Sequence, residues 1–191
     1  MSGQGRNPSA LSVGSGGLHR KLAIAGADEL RRGISESWTH LISIKNPGAP
    51  ALELDGFTGQ QLQLWFGDVM SEADAQRCRT RAPAIQDVQQ AVEFFRRAWR
   101  ERDSKILICC DYGASRSPAV AYVCVADQFT VGQEPQALAA ILAIRPNAVP
   151  NPLVVKLGDA VLGRKGALIR PAKDLYSKIN DEIAKWRLSK S

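Results

Sequence analysis

The sequence is poor in the residues from which several kinds of protein are built. Of its 191 residues two are histidine and four are cysteine, and the cysteines at 78, 109, 110 and 124 follow no metal-ligand spacing. A zinc centre needs a further pair of thiols or imidazoles, and a disulfide scaffold needs a denser framework of cysteines. Reduced thiols in a cytosolic setting are therefore expected, with no metal and no cofactor. Aromatic residues make up 6% of the chain. They are too sparsely interleaved with the arginines around Arg77, Arg79, Arg81 and Arg96 to Arg102 to form a nucleic-acid stacking surface. No apolar run approaches the roughly 18 to 20 residues that cross a bilayer. The opening stretch MSGQGRNPSALSVGSGG also lacks the apolar centre of a secretory signal. Neither nucleic acid nor membrane is an expected partner.

What remains suits one soluble domain with tails. Hydrophobic residues make up 45% and charged residues 23%, and the formal charge of +6 favours anions without saying which. Residues 1–18, rich in Gly and Ser, read as a disordered tail, and His19 as a solvated residue. Beyond them strand-like and helix-like patterns alternate, the mark of an α/β domain with a mostly parallel sheet.

Strands are expected at Lys21–Ala25, Thr39–Ile44 and Gln61–Phe66, with a brief helix near Asp28 to Gly33. The turn formers Asn46-Pro47-Gly48 end the second strand, and Gly67-Asp68 the third. Pro83 opens a helix whose Ile85, Val88, Val92, Phe95 and Trp99 make one apolar stripe. Ser104–Cys110 reads as a central strand buried on both faces. Helices follow from Ser117 to Phe129, Pro135 to Ile144 and Pro152 to Leu162, the last capped by Asn151 and ended by Gly163. A final helix over 164–191 carries Leu175, Ile179, Ile183 and Trp186 on one face, either docked on the domain or presented to a second copy.

Between the central strand and the helix after it lies the stretch Cys109-Cys110-Asp111-Tyr112-Gly113-Ala114-Ser115-Arg116-Ser117-Pro118. A strand, a tight loop and a helix N-terminus make an anion trap: loop N–H groups can turn inward where the helix dipole adds partial positive charge. Gly113 allows a backbone conformation that a side chain would obstruct. Arg116 can offer a planar fork to two oxygens of one phosphate. The same field stabilises a thiolate. Phosphate or sulfate is the ion expected in the loop.

Cys110-Asp111-Tyr112-Gly113-Ala114-Ser115-Arg116-Ser117 resembles the signature of the cysteine-dependent protein tyrosine phosphatases: Cys, five residues, Arg, then Ser or Thr. Gly113, Ser115, Ser117 and Pro118 are similar to the dual-specificity members. Phe66-Gly67-Asp68 ahead of the Pro83 helix matches the family's order, as does Arg145-Pro146-Asn147 through Asn151 in a late connection. The resemblance spans roughly 20 to 163 and is nearest to a bacterial branch of these enzymes. It implies a three-layer α/β/α fold and a catalytic domain over 19–163. It also implies that Cys110 rather than Cys109 is the nucleophile, that Arg116 and the loop amides of 111–116 bind phosphate, and that Ser117 bonds the sulfur. By the same resemblance Asp68 is the general acid. The reaction would pass through a phosphocysteine on a phosphorylated protein, with phosphotyrosine favoured because Asp111 repels additional phosphates.

The chain departs from the family twice. A histidine normally precedes the nucleophile, and here Cys109 stands there. The segment from Asp68 to Cys110 is also longer, and its Met70–Ala82 stretch brings in Glu72 and Asp74 as rival acids. A phosphate- or phosphopeptide-binding module with little turnover is the alternative. Rhodanese-like sulfur transfer also uses a cysteine loop at a helix N-terminus, but the Arg116-Ser117 ending argues against it.

Overall fold

A computed structural model describes residues 21–31 and 38–190, so the expectations for residues 1–18, His19 and Gly33 lie outside the described residues. The elements run β1 (Leu22–Gly26), α1 (Ala27–Arg31), β2 (His40–Lys45), β3 (Gln60–Trp65), α2 (Glu72–Arg77), α3 (Ile85–Arg100), β4 (Ile106–Cys110), α4 (Arg116–Gln128), α5 (Glu134–Ile144), α6 (Pro152–Val161) and α7 (Ile169–Leu188). The four strands form one parallel sheet in the order β1-β4-β2-β3.

Alternation along the strands assigns the two faces. Ile24, Ile42, Ile44, Leu64, Ile106, Ile108 and Cys110 meet the apolar faces of α3, α4, α5 and α6 in the main core. Leu41, Leu107 and Cys109 point the other way, covered by Leu30 of α1 and by Leu52, Leu54 and Phe57 of the β2–β3 connection. β4 is buried along its whole length because it has a strand on either side and a layer on either face. α4 beneath it is buried nearly all round, so periodicity there is weak. The α/β class and layered parallel sheet expected from the sequence are what the chain forms, with element ends shifted by one or two residues except in the final helix, which runs Ile169–Leu188 rather than over 164–191.

Two elements differ from expectation. The Met70–Ala82 stretch contains a helix, α2, started by Ser71, whose hydroxyl accepts a hydrogen bond from the Asp74 amide at 3.1 Å. Its only buried residue is Ala75, which packs with Val69, Ala82 and Leu153, so no apolar stripe announced it. The final helix docks only at its start. Ala172 is buried and Leu175 and Ile179 are half-buried, but Ile183 and Trp186 are 43% and 62% exposed.

Behind α4 an ion pair is sealed in the core. Arg164, 9% exposed, donates to Glu134 Oε1 at 2.9 Å and to the carbonyls of Ala126 and Phe129, capping the end of α4. Glu134 is 2% exposed, so losing its partner strands a buried carboxylate. Arg164→Leu is expected to lower the unfolding free energy by about 3–5 kcal/mol, measured by urea denaturation, with the loop chemistry unaltered in the folded fraction.

Candidate active site

The loop from Asp111 to Ser115 sits at the carboxyl end of the sheet, where the crevice of an open α/β fold lies. Four of its five carbonyls are matched to a donor. Asp111 O accepts from the Ala27 amide at 3.0 Å, Tyr112 O from Arg145 Nη2 at 3.2 Å, Ala114 O from the Val149 amide at 2.7 Å and Ser115 O from the Asn151 amide at 3.1 Å. Among the described residues the N–H groups of 111–115 donate to no acceptor. Several successive amides left without acceptors suit an anion that takes them at once.

Gly113 makes the turn possible. Its φ is +67°, and a Cβ there would lie 2.7 Å from the Ala25 carbonyl carbon and the Gly26 nitrogen. Gly113→Ala is expected to cost at least about 1–2 kcal/mol from the left-handed backbone alone. The overlap with β1 adds to this, and a fall in both melting temperature and phosphate affinity would show it.

Cys110, at the end of β4, is 4% exposed, and its Sγ lies 3.1 Å from Ser117 Oγ in the first turn of α4. If the sulfur is a thiolate, only the hydroxyl can donate. Ser115 is the N-cap residue, yet its hydroxyl makes no cap bond and donates instead to Asp68 Oδ1 at 2.7 Å. Pro118 has no N–H to leave unpaired, so the positive end of α4 is directed at the loop. Cys109 faces the opposite layer, and burial pushes its thiol up to about 12, leaving it neutral. The two neighbouring thiols therefore stand on opposite faces in different environments.

Arg116, 2% exposed, brings its guanidinium back over the loop. Nη2 donates to Asp111 Oδ2 at 2.6 Å, and Nη1 donates to Asn46 Oδ1 at 2.9 Å and to the Phe66 carbonyl at 3.0 Å. Nε is buried with no hydrogen-bond partner. Asp111 is also 3.3 Å from Lys45 Nζ. Burial acts to raise the Asp111 pKa, but the hydrogen bonds and charges of Arg116 and Lys45 outweigh it and hold the carboxyl below its ordinary value. Its charge is thus paired with Arg116 and with Lys45 at the end of β2, which offsets the repulsion of additional phosphates expected from the sequence.

Asp68 follows the end of β3 at the neck of a closed segment, where the Gly67 amide bonds the Arg81 carbonyl at 2.8 Å. Asp68 Oδ1 accepts from Ser115 Oγ and, at 2.8 Å, from Asn151 Nδ2. Its Oδ2 has no hydrogen bond among the described residues and lies 4.0 Å from Arg116 Nε, with the side chain 37% exposed. Asn151 joins three parts: its Oδ1 caps α6 through the Leu153 and Val154 amides, its Nδ2 holds Asp68, and its own amide holds Ser115. Asp74 is engaged with Ser71 and Arg77 on α2, while Glu72 lines a groove of about 520 Å³ with Met70, Leu153 and Tyr176. Of the three carboxylates weighed as acids, Asp68 is the one beside Arg116 and the loop. Tyr112 projects outward, 80% exposed.

Sequence reasoning did not single out Lys45, Asn46 or the Phe66 carbonyl, which hold Asp111 and Arg116, although all lie at the carboxyl ends of strands. Three of the seven arginines of that surface are paired with carboxylates: Arg77 with Asp74, Arg81 with Asp87 and Arg96 with Asp127. Among the described residues no group of acidic, histidine and cysteine side chains could hold a metal ion, and no helix is long and apolar enough to cross a membrane.

No family model and no curated protein sequence matches the chain. Solved structures do. Human DUSP28 is similar with a TM-score of 0.55 at 17% identity, covering 78% of this chain and 95% of its own. DUSP15 gives 0.55 at 22%, covering 81% and 92%. A human tyrosine phosphatase-like serine/threonine/tyrosine-interacting protein gives 0.52 at 19%, covering 71% and 83%. At these identities the likeness establishes the fold: this chain has the three-layer α/β architecture of the dual-specificity and tyrosine phosphatase-like proteins.

Proposed function

We propose that this chain, with its tyrosine phosphatase-like fold, is a cysteine-dependent phosphomonoester hydrolase acting on a phosphorylated protein through a phosphocysteine intermediate. The observations that support the reading lie along one loop: the Cys110 sulfur bonded to Ser117, amides for which no acceptor is found among the described residues, and Arg116, whose Nε lacks a hydrogen-bond partner and lies 4.0 Å from Asp68 Oδ2. The thiolate attacks phosphorus in line while the amides and Arg116 bind the non-bridging oxygens. The sulfur–phosphorus bond forms as the phosphorus–oxygen bond breaks, and Asp68 gives its proton to the departing oxygen. Water, deprotonated by the Asp68 carboxylate, then displaces the sulfur, whose returning negative charge Ser117 stabilises. The loop supplies the positive field, so the scheme calls for no metal.

A phosphorylated protein, phosphotyrosine above all, is favoured over a highly charged inositol lipid because the loop carries no cation besides Arg116 to receive additional phosphates. The exposed Tyr112 adds an aromatic surface to the loop. A catalytically weak phosphate- or phosphopeptide-binding module is the second reading, and Cys109 supports it: a buried neutral thiol gives Cys110 no cationic neighbour. Hydrolysis of para-nitrophenyl phosphate by the purified chain separates the two. Turnover lost in Cys110→Ser and kept in Cys109→Ser supports the enzyme, whereas phosphate binding without turnover supports the module.

A further inference from the structure

The guanidinium of Arg116 is fixed from outside the loop as well as within it. Asn46 touches both members of the Asp111–Arg116 pair. Its Oδ1 accepts from Arg116 Nη1 at 2.9 Å, and its Nδ2 donates at 3.0 Å to Asp111 Oδ2, the same oxygen that takes Arg116 Nη2 at 2.6 Å. The three side chains close a ring across the two terminal nitrogens. The other Asp111 oxygen is held by Lys45 Nζ at 3.3 Å, and Lys45 Nζ is anchored on a side chain only 14% exposed. Asn46 is itself fixed by its turn, in which its carbonyl accepts from the Ala49 amide at 3.0 Å and Gly48 takes φ +80°. What this ring leaves unused is the Nε edge of the guanidinium, where Nε is buried, has no hydrogen-bond partner among the described residues and lies 4.0 Å from Asp68 Oδ2.

We infer that Lys45 and Asn46 are positioning residues for the proposed phosphoryl transfer, which together with Asp111 preset Arg116 so that its Nε edge meets the equatorial oxygens of the transferring group. The inference rests on the phosphatase reading above. A free arginine side chain samples many rotamers, and ordering it during the reaction would raise the barrier. Here the order exists beforehand. The oxygens move as phosphorus passes from tetrahedral to trigonal bipyramidal, so a loosened fork forfeits more in the transition state than in the bound ester.

The test compares Asn46→Ala with wild type, using para-nitrophenyl phosphate for turnover and orthovanadate, which adopts the trigonal bipyramidal shape, as inhibitor. The expected result is a loss in kcat of about 10- to 100-fold, KM within about threefold, and a matching loss of orthovanadate affinity. Lys45→Gln and Asp111→Asn are expected to move the same two quantities in the same direction, and they carry the test if Asn46→Ala does not fold. A fall in kcat with unchanged orthovanadate inhibition reports only a smaller active fraction and overturns the inference, as do wild-type kinetics. In either case wild-type turnover leaves the phosphatase reading standing. If the wild type shows no turnover, that reading fails. The positioning claim is then decided by calorimetric binding of orthovanadate, where about tenfold weakening in Asn46→Ala supports it and equal affinity overturns it.

Discussion

Replacing Cys110 by serine is expected to abolish hydrolysis of para-nitrophenyl phosphate, lowering kcat by about 10⁴-fold or more, as removal of other covalent nucleophiles does. The loop should survive the change. Serine is nearly isosteric, the paired carbonyls keep their donors, and Arg116 keeps its hold on Asp111 and Asn46. Tungstate affinity should therefore stay within a few-fold of wild type, which separates loss of chemistry from loss of fold. Cys109→Ser is the control. It puts a hydroxyl among Leu30, Leu41 and Leu107, so it should reduce stability by about 1–3 kcal/mol while the folded protein keeps its turnover.

Asp68→Asn carries the second large effect. Its expected loss in kcat is about 10²–10³-fold for phenyl phosphate or a phosphotyrosine peptide, whose leaving oxygens need a proton. For an aryl phosphate with a strongly acidic phenol the loss should shrink, because that phenolate leaves without help. A general acid must be protonated, so the wild-type rate falls as pH rises through its titration, and that descending limb should flatten in Asp68→Asn. The contacts predict little structural disturbance, since an amide oxygen can still accept from Ser115 and Asn151. Equal turnover of good and poor leaving groups by wild type and Asp68→Asn would exclude Asp68 as the acid. It would return attention to Glu72 or Asp74, although Asp74 would first have to release Ser71 and Arg77.

The fold was legible where one residue pattern had one physical meaning. β4 declared itself as an unbroken apolar run, α3 as a stripe from Val88 to Phe95, and α6 by the asparagine before it and the glycine after it. α2 was illegible because it buries a single alanine against a satellite core. Of the two placements the sequence left open for α7, its far end does not take the docked one, because Ile183 and Trp186 continue the apolar stripe past the point where the domain surface stops. Within the candidate site, the contiguous residues from Cys110 to Ser117 stood out in the sequence because together they resemble a known signature. Asn46 and Lys45 did not: a turn former and a strand-end lysine look ordinary until the parallel sheet brings them within reach of residues some 65 to 70 positions away. Asp111 shows a related limit. Its charge was visible, but its pairing with Arg116 and Lys45 was not.

Rapid acid quench of the wild-type chain turning over para-nitrophenyl phosphate, followed by peptide mass mapping, tests the central claim most directly. A phosphoryl group on the Cys110 sulfur, enriched when Asp68 is replaced by asparagine and absent from Cys110→Ser, is the predicted result. Steady turnover with an unmodified Cys110, or with the phosphoryl group on Cys109 or Cys78, would contradict it.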